Sequence, residues 1–445
     1  MTAVFQRSCN ANMPIAVKGD GPYIIDQNGK RYLDGCGGAV VSSLGHSHPK
    51  VIAAIKDQVD SIAFAHTGFF SSEPAEALAQ WLIDRAPGDM GRIYFTSGGS
   101  ESMEAALKLA RQYALERGEE ERQYFITREQ SYHGNTLGVL GVGGNQWRRK
   151  PFAPLLCDAN YIAPCYAYRG QREGESEFDY GQRVAQELET KLAELGSEKV
   201  LAFIAEPVVG ATSGAVPSVP GYFKKVREIC DREGILLILD EVMCGMGRTG
   251  TLFAYEQEGI IPDMVAMAKG LGAGYQPIGA LMVSSEIHNT LAQGSGFFQH
   301  GHTYIGHPTA CAAALAVQQV IQEENLLENV KKQGEYLMAQ LKARFAEHPH
   351  VGDVRGRGLF LGVELVADRV TKEPLPAATK IHASVKAKLM ENGLMCYPMA
   401  GTIDGVNGHH ILIAPPFTIT TEQLDFLVDT LAVSLDQALA NAGVV

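Results

Sequence analysis

From about residue 74 the chain alternates between two hydrophobic periodicities. Short apolar runs predict buried strands, and longer stretches with apolar residues three and four positions apart predict amphipathic helices. The predicted strands are 92–96, 123–127, 200–204, 235–240, 264–268 and 278–283, with helices at 76–85 and 101–116 among them. This alternation is typical of a largely parallel sheet with crossover helices, and it predicts a large α/β domain over residues 60–315.

The pattern differs on both sides of this region. Near the N terminus two short β-prone runs flank Asn28-Gly29, a dipeptide typical of a hairpin turn, and predict a hairpin outside the main sheet. After an alanine-rich helical stretch at 309–323 the chain predicts a helix at 326–348, a strand pair around 351–366, a helix at 381–392 and a final helix from about Thr421. We expect the N-terminal segment 1–59 to pack with a smaller α+β domain formed by residues 316–445.

Composition narrows the classes of function. The 38 basic and 50 acidic residues give a formal net charge of −12, and no basic block is long enough to follow a nucleic-acid backbone. The eight cysteines show no paired C-x-x-C spacing, and the histidines complete no recognised metal-ligand set, so we expect a reducing compartment and no metal. Without a signal-like or membrane-spanning apolar run, the sequence favours a cytoplasmic protein that binds small molecules.

Two side chains at predicted strand ends are the strongest chemical signal. Lys269 follows an apolar run and enters a glycine cluster, and Asp240 closes the preceding apolar run. A lysine amine in this position can form a Schiff base, and an aspartate at a neighbouring strand end can keep a pyridine nitrogen protonated. Together they indicate a site for pyridoxal phosphate (PLP).

The surrounding segments offer further contacts for such a ligand. Gly98, Gly99 and Ser100 lie between a predicted strand and helix, where free backbone amides and the helix dipole can hold a phosphate. Tyr132 can stack on one face of a flat ring and Val242 can cover the other, although core packing explains either residue equally simply. Glu206 places a carboxylate near the ring hydroxyl or the incoming amine, or it caps a turn.

One motif points elsewhere. Residues Gly245 to Gly250 match the G-x-G-x-x-G pattern of dinucleotide-binding proteins, which raises an NAD-dependent oxidoreductase as a remote alternative. Four residues separate the predicted strand from the first glycine, however, and no long amphipathic helix follows the last one. This context disfavours a dinucleotide site.

The combination of these motifs resembles the class III aminotransferases, a branch of the fold type I PLP enzymes, over nearly the whole chain. The matching stretches are Asp34-Gly35, Gly45 to Pro49, Thr96 to Glu101, Tyr132 to Gly134, Glu206-Pro207, Asp240 to Gly250, Ala268 to Gly270, Gly301 to Pro308 and Pro415-Pro416. The resemblance implies a mainly parallel seven-stranded sheet flanked by helices, and a small domain built from both ends of the chain. It also implies a homodimer or a dimer of dimers.

The resemblance assigns roles to individual residues. It implies that Lys269 carries PLP as a Schiff base, that Asp240 pairs with the pyridinium, that Tyr132 and Val242 enclose the ring, and that Thr303 reaches the phosphate from the neighbouring subunit. The full set of cofactor contacts expected on this basis is Gly98, Gly99, Ser100, Tyr132, His133, Glu206, Asp240, Val242, Met243, Lys269 and Thr303.

The implied activity is transfer of an amino group from an amine or ω-amino acid to an α-keto acid, such as pyruvate or 2-oxoglutarate, by a ping-pong mechanism. The same scaffold also supports racemases, decarboxylases and an aminomutase, because Lys269 and Asp240 only help to form a carbanion and other groups decide its fate. These reactions stay open as alternatives.

Two departures from the family concern the substrate. Many relatives carry a mobile carboxylate-binding arginine shortly before the final Pro-Pro segment, and residues 397–410 contain none. Its role passes to Arg148 or Arg149, to His409 or His410, or to polar backbone groups. The N-terminal loop 37–41 also lacks the bulky aromatic residue of many amine transaminases, which predicts a roomier pocket. The expected substrate contacts are Ala39, Val40, Phe69, Arg148 and His410.

Overall fold

The computed structural model describes residues 3–157 and 159–444. The N-terminal part contains β1 (Ala16–Asp20), β2 (Tyr23–Asp26), β3 (Arg31–Asp34), the short turn α1 (Gly37–Val40) and α2 (Pro49–Ser61). The central part contains α3 (Glu73–Ile83), β4 (Met90–Thr96), α4 (Gly99–Glu116), β5 (Tyr124–Arg128), α5 (Leu137–Val142), α6 (Gln146–Arg149), β6 (Asn160–Ile162), α7 (Ala167–Gly170), α8 (Glu177–Leu195), β7 (Val200–Ala205), β8 (Val208–Val209), β9 (Val216–Pro217), α9 (Tyr222–Glu233), β10 (Leu236–Asp240), β11 (Met264–Met267), β12 (Gly279–Ser284) and α10 (Ser285–Gln293). The C-terminal part contains α11 (Pro308–Glu323), α12 (Leu326–Arg344), β13 (Val351–Arg357), β14 (Phe360–Leu365), α13 (Ile381–Glu391), β15 (Leu394–Met395), β16 (Tyr397–Ala400), β17 (His409–Ile413) and α14 (Thr421–Asn441). Short 3₁₀ segments lie at Lys150–Leu155, Ser197–Lys199, Ala254–Glu258, Lys269–Leu271 and Ala377–Thr379.

The central sheet has seven strands in the order β4-β12-β11-β10-β7-β5-β6. Neighbours are parallel from β11 to β6, and β12 runs antiparallel to both β11 and β4. The prediction of a mainly parallel seven-stranded sheet is therefore confirmed. The residue pattern gave no signal for β6, because its three residues are too short for a recognisable apolar run.

The strands β7 and β11 are apolar along their whole length, and β10 is apolar up to Asp240, because both faces of the sheet are covered there. Leu237 and Leu239 belong to a core shared with helices on one face, and Ile238 between them belongs to a core shared with α4 on the other. Alternate side chains of a strand point to opposite faces, so a strand covered on both sides needs apolar residues at every position.

The functional side chains gather at one edge of this sheet. Since β12 is antiparallel to both of its neighbours, β4 runs in the same direction as β11, β10, β7 and β5. The carboxyl ends of all five strands therefore meet at one edge, at Thr96, Arg128, Ala205, Asp240 and Met267. In open α/β sheets this edge is where ligands bind.

The two ends of the chain form a second unit. β2 and β3 are the predicted antiparallel hairpin, and β15 from the C-terminal part pairs with β3 in the same sheet. Leu33, Leu44 and Val51 share a core with residues of β13, β14, α13 and α14. We propose, on the basis of this shared core, that segment 1–59 packs with residues 316–445 as one small domain. Across the described ranges, no helix is both long and apolar enough to cross a bilayer.

The loop that matches the dinucleotide pattern has a structural role. Between Gly245 and Gly250 the chain forms turns and no helix. The buried guanidinium of Arg248 donates hydrogen bonds to the carbonyl oxygens of Leu359 at 3.0 Å and Pro415 at 2.6 Å, and it lies 4.6 Å from the ring centroid of Phe417. These glycines therefore belong to a tight connection between the central sheet and the C-terminal part.

Candidate active site

A cavity of about 150 Å³ lies at the carboxyl edge of the central sheet. Its lining includes many of the residues expected from the sequence: Gly99, Ser100, Tyr132, His133, Glu206, Asp240, Val242, Met243 and Lys269. Gly134, Val208 and Ala211 line it too, although the sequence did not single them out as contacts. Val208 and Ala211 follow Glu206 at the end of β7, so their position after a strand end was the signal that could have identified them.

Lys269 presents an amine without a partner. It opens a 3₁₀ turn directly after β11 with a left-handed φ of 44°, a conformation that is costly for a residue with a side chain. Its Nζ makes no hydrogen bond or ion pair with any residue that the structure describes. Burial lowers the pKa of Lys269 from 10.5 to about 8, against the opposing influence of the Asp240 and Glu206 carboxylates. Lys269 is thus a nucleophile with a large neutral fraction near neutral pH.

Asp240 is held at the end of β10 by two hydrogen bonds. Its Oδ1 accepts a bond of 3.0 Å from the backbone amide of Val242, and its Oδ2 lies 2.9 Å from Nδ1 of His133. A carboxylate only accepts, so His133 Nδ1 carries the hydrogen of that bond, and His133 Nε2 lies 3.2 Å from the Thr127 hydroxyl. This chain of bonds fixes the orientation of the Asp240 carboxylate.

The start of α4 offers free amides to the cavity. Gly98 caps the helix without a side-chain acceptor, so the first amides of the helix keep no protein partner from a cap. A Cβ at Gly98 would meet no atom within 4 Å, whereas a Cβ at Gly99 would lie 2.8 Å from Cγ1 of Val242. The backbone is therefore open at Gly98 and closely covered by Val242 at Gly99. Such a helix start is suited to a phosphate group.

Glu206 binds backbone amides and also lines the cavity. Its Oε1 accepts the amide of Tyr132 at 2.9 Å and its Oε2 accepts the amide of Gly210 at 2.7 Å, so it does bind turn amides. It also lines the cavity, and burial raises the pKa of its carboxyl group. Glu206 thereby connects the loop that carries Tyr132 with the loop after β7.

The candidates for carboxylate recognition differ sharply in their freedom to bind. Arg149 donates to the carbonyl oxygens of Leu140 at 2.8 Å and Gly143 at 3.1 Å. Arg148 lies with its Cζ 4.5 Å from the ring centroid of Tyr132, and its guanidinium has no acceptor among the residues that the structure describes. Arg148 is therefore available for a ligand where Arg149 is committed to the backbone.

The two histidine candidates lie in the interior. His410 is fully buried, with its Nδ1 2.7 Å from Thr402 Oγ1 and its Nε2 3.0 Å from the carbonyl oxygen of Ala211. His409 is also fully buried, and its ring stacks on that of His382 at 5.4 Å between centroids. Neither ring lines the cavity, and His410 has no ring nitrogen left for a substrate.

Four expected contacts are not among the residues that line the cavity. Phe69 is 81% exposed, Thr303 is exposed, and Ala39 is half-buried. Val40 is buried, with a left-handed φ of 64°, in a small core that also contains Val208 and Ala211 from the cavity lining. Val40 therefore packs against the wall of the cavity.

A metal site finds no support in the same region. In residues 3–157 and 159–444, no group of three His, Cys, Asp or Glu side chains is placed to hold a metal ion.

Comparison with known proteins decides the family. The model of the family described as aminotransferase class III matches residues 5–435. This chain belongs to the class III aminotransferases. An uncharacterized aminotransferase of Schizosaccharomyces pombe is 43% identical to this class III aminotransferase over 438 residues, which cover 98% of the chain and 95% of that relative.

Solved structures agree with this assignment. An (S)-enantioselective omega-transaminase from Thermomicrobium roseum superposes on the class III aminotransferase with a TM-score of 0.91 and 39% identity, covering 97% of this chain and 94% of that one. The omega-transaminase from Pseudomonas jessenii, solved in complex with PMP, gives a TM-score of 0.91 and 32% identity, with coverage of 97% and 94%. The fold predicted from the sequence, that of a fold type I PLP enzyme, is confirmed.

Proposed function

We propose that this class III aminotransferase transfers the amino group of an amine or ω-amino acid to an α-keto acid such as pyruvate or 2-oxoglutarate by a ping-pong mechanism. The observation that carries the proposal is the unpartnered amine of Lys269 in one cavity with the oriented carboxylate of Asp240. The PLP dependence of the family and the open start of α4 support the same conclusion.

The residues of the cavity fit PLP. Lys269 would bind its carbonyl carbon, Asp240 its ring nitrogen, and the amides of Gly98, Gly99 and Ser100 its phosphate. Tyr132 and Val242 would enclose the ring, with His133, Glu206 and Met243 around them. When bound, PLP acts as an electron sink that stabilises negative charge on the substrate carbon attached to the amine.

Asp240 serves this chemistry through its fixed charge. Its two hydrogen bonds hold the carboxylate in place, and a carboxylate next to a pyridine nitrogen favours protonation of that nitrogen. The hydrogen bond between His133 and Thr127 keeps the imidazole in the orientation that donates to Asp240. These residues are therefore proposed to maintain the electron-withdrawing form of the ring.

Lys269 serves as the proton carrier. Its lowered pKa leaves a substantial neutral fraction of Nζ at physiological pH, and a neutral amine accepts a proton. We propose that the neutral Nζ would accept the proton released from the substrate carbon that bears the amine, and that the resulting ammonium group would donate it again later in the reaction.

The dimer remains part of this proposal. Thr303 and the neighbouring Tyr304 lie on the surface, where Phe69 and Phe70 are 81% and 68% exposed. The rings of Phe64 and Tyr304 contact each other at 5.7 Å and join the two loops that carry these residues. Exposed aromatic surface of this kind is typical of a protein interface. We propose that a second subunit covers it and that Thr303 then reaches the phosphate of the partner's site, and a monomer in sedimentation experiments would contradict this.

The roomier pocket is likewise a proposal. Val40 is buried in a core that leaves no space for a larger side chain. The substitution that tests whether a bulky residue narrows the range of accepted amines should therefore be made at Ala39, which is half-buried. An Ala39→Trp variant should lose activity on bulky amines and keep it on small ones.

The decisive experiment follows the cofactor spectrum. The PLP-loaded protein mixed with an amine donor and no keto acid should convert its bound cofactor to the amine form stoichiometrically, and pyruvate should then restore the original spectrum. Lys269→Ala should abolish turnover. Lys50→Ala removes an exposed lysine that does not line the cavity, so it should leave turnover unchanged. Carbon dioxide release, inversion of an amino acid, or normal turnover by Lys269→Ala would contradict the proposal.

A further inference from the structure

A second cavity lies beside Arg148, whose guanidinium contacts the ring of Tyr132. It has a volume of about 380 Å³ and is lined by Arg7, Asn145, Trp147, Arg148, Thr212 and Tyr397 among others. Tyr132 lines the first cavity, and Arg148, which lines the second, lies against its ring. The two cavities therefore meet at the contact between Tyr132 and Arg148.

The second cavity is positively charged. Arg7 and Arg148 both line it, and its lining contains no acidic residue. Neither guanidinium forms an ion pair with any residue in the described ranges. Arg148 is half-buried, and Arg7 is exposed at the same cavity. Half-burying a guanidinium without an acceptor is unfavourable, so Arg148, with the charge of Arg7 beside it, is suited to bind an anion.

The wall that carries Arg148 is held by hydrogen bonds that leave its guanidinium free. Asn145 Oδ1 accepts the backbone amide of Arg148 at 3.2 Å, and Asn145 Nδ2 donates to Gln130 Oε1 at 3.0 Å. Gln130 Nε2 in turn donates to the carbonyl oxygen of Gly401 at 2.7 Å. Arg148 is therefore presented by a fixed backbone, with its side chain resting on Tyr132.

We propose that Arg148, assisted by Arg7, binds the carboxylate of the α-keto acid acceptor. This assignment rests on the proposed transaminase function. An α-keto acid carries its carboxylate on the carbon next to the reacting carbonyl, so an anion receptor beside the cavity of Lys269 would orient that carbonyl toward the amine. The Arg148 charge is close enough to Lys269 to contribute to the lowering of its pKa.

The subsite replaces the arginine that is absent before Pro415. In the described structure, residues 397–410 form β16, a turn and the start of β17. His409 and His410 from this stretch are buried and line neither cavity, and Arg149 is bonded to carbonyl oxygens. The carboxylate of the acceptor therefore contacts Arg148, which belongs to α6. A neutral amine donor has no carboxylate, so Arg148 stays stacked on Tyr132 when such a donor binds.

The test compares two acceptors of equal chain length that differ in charge. Pyruvate carries a carboxylate, and propanal does not. For Arg148→Gln we expect kcat/KM for pyruvate to fall about 100-fold, the typical effect of removing one partner of a charged hydrogen bond, while the value for propanal changes less than about threefold. Arg148→Lys should recover about a tenth of the activity with pyruvate, because a point charge remains without the planar fork. Arg7→Gln should lose about tenfold with pyruvate.

Lys150→Gln is the matched control, because it removes an exposed positive charge two residues from Arg148 and should leave both acceptors unaffected. A second readout does not depend on turnover: propionate, which cannot react, should bind the PLP-loaded wild-type protein in calorimetric titration and show no measurable binding to Arg148→Gln.

Each contrary result has a distinct meaning. Equal losses with pyruvate and propanal, or unchanged propionate binding in Arg148→Gln, would overturn the subsite and leave the transaminase assignment standing. Wild-type selectivity in Arg7→Gln would overturn the participation of Arg7. A wild-type protein that converts no amine with any acceptor would overturn the proposed function, and the propionate titration would then decide the anion subsite alone.

Discussion

Lys269 should react faster than exposed lysines in the cofactor-free protein near neutral pH. Its pKa is lowered from 10.5 to about 8. At pH 7.5 about a quarter of such an amine is neutral, compared with about 0.1% of an amine with a pKa of 10.5. Since only the neutral amine attacks an acylating reagent, this difference favours Lys269 by about 200-fold before accessibility is considered.

The matching perturbation is Asp240→Asn. The Asp240 carboxylate stabilises the charged amine, so its removal should lower the pKa of Lys269 further. Because a quarter of the amine is already neutral, the labelling rate at pH 7.5 can rise by no more than about fourfold. The assay is brief acetylation of the cofactor-free protein over a range of pH, with the modified peptides quantified by mass spectrometry.

Lys50 supplies the internal control. Its side chain is 59% exposed, and its hydrogen bond to Glu323 raises its pKa. Accessibility alone predicts faster labelling of Lys50, whereas the neutral fraction predicts faster labelling of Lys269. The reasoning is refuted if Lys50 reacts first at pH 7.5, or if the Lys269 profile has its midpoint above pH 10.

Three further predictions concern stability. Gly99→Ala places a methyl group 2.8 Å from Val242, so it should lower the unfolding free energy by about 1–3 kcal/mol in urea titrations. Adding Val242→Ala should restore most of this loss, and no recovery would contradict the steric explanation. Gly98→Ala, whose methyl group would meet no atom within 4 Å, is the control. Glu241 is buried and accepts two hydrogen bonds of 2.7 Å from backbone amides. Glu241→Gln replaces one of these acceptor atoms with a donor, so it should lower the unfolding free energy by about 2–4 kcal/mol. A loss below about 0.5 kcal/mol in chemical denaturation would count against this explanation. Burial lowers the pKa of His410 from 6.5 to about 3, so the unfolded chain binds more protons between these values. The unfolding free energy should therefore drop by about 2 kcal/mol from pH 7 to pH 5, and a His410→Gln protein with an unchanged pH dependence would exclude His410 as the cause.

The positions of Lys269 and Asp240 were predictable because they follow apolar runs. A buried parallel strand needs an uninterrupted apolar stretch, so the first polar residue after it marks the strand's end. Parallel strands bring their carboxyl ends to one edge, and two such residues therefore approach each other whatever the sequence distance between them. The start of α4 was predictable because glycines separate a predicted strand from an amphipathic helix, and the hairpin was predictable because Asn28-Gly29 is a typical turn dipeptide.

Other features depend on contacts that local patterns do not encode. Arg7 and Arg148 line one cavity although 140 residues separate them, and no periodicity links the N-terminal segment to α6. His410 looked like a polar loop residue, yet β17 carries it into the interior. Val40, which was expected to contact a substrate, is buried with a left-handed φ in a small core that includes Val208 and Ala211 of the cavity lining. Burial of this kind is decided by tertiary packing and overrides the local polarity of the sequence.

The Arg248 contacts also limit how the enzyme can move. The loop from Asp240 to Gly250 carries the proposed ring partner at one end and the bonds of Arg248 to Leu359 and Pro415 near the other. The C-terminal part therefore cannot rotate freely as a lid over the cavity without pulling on the segment that begins at Asp240. Any displacement of the C-terminal part relative to the central sheet would have to be accommodated within the segment between Asp240 and Arg248.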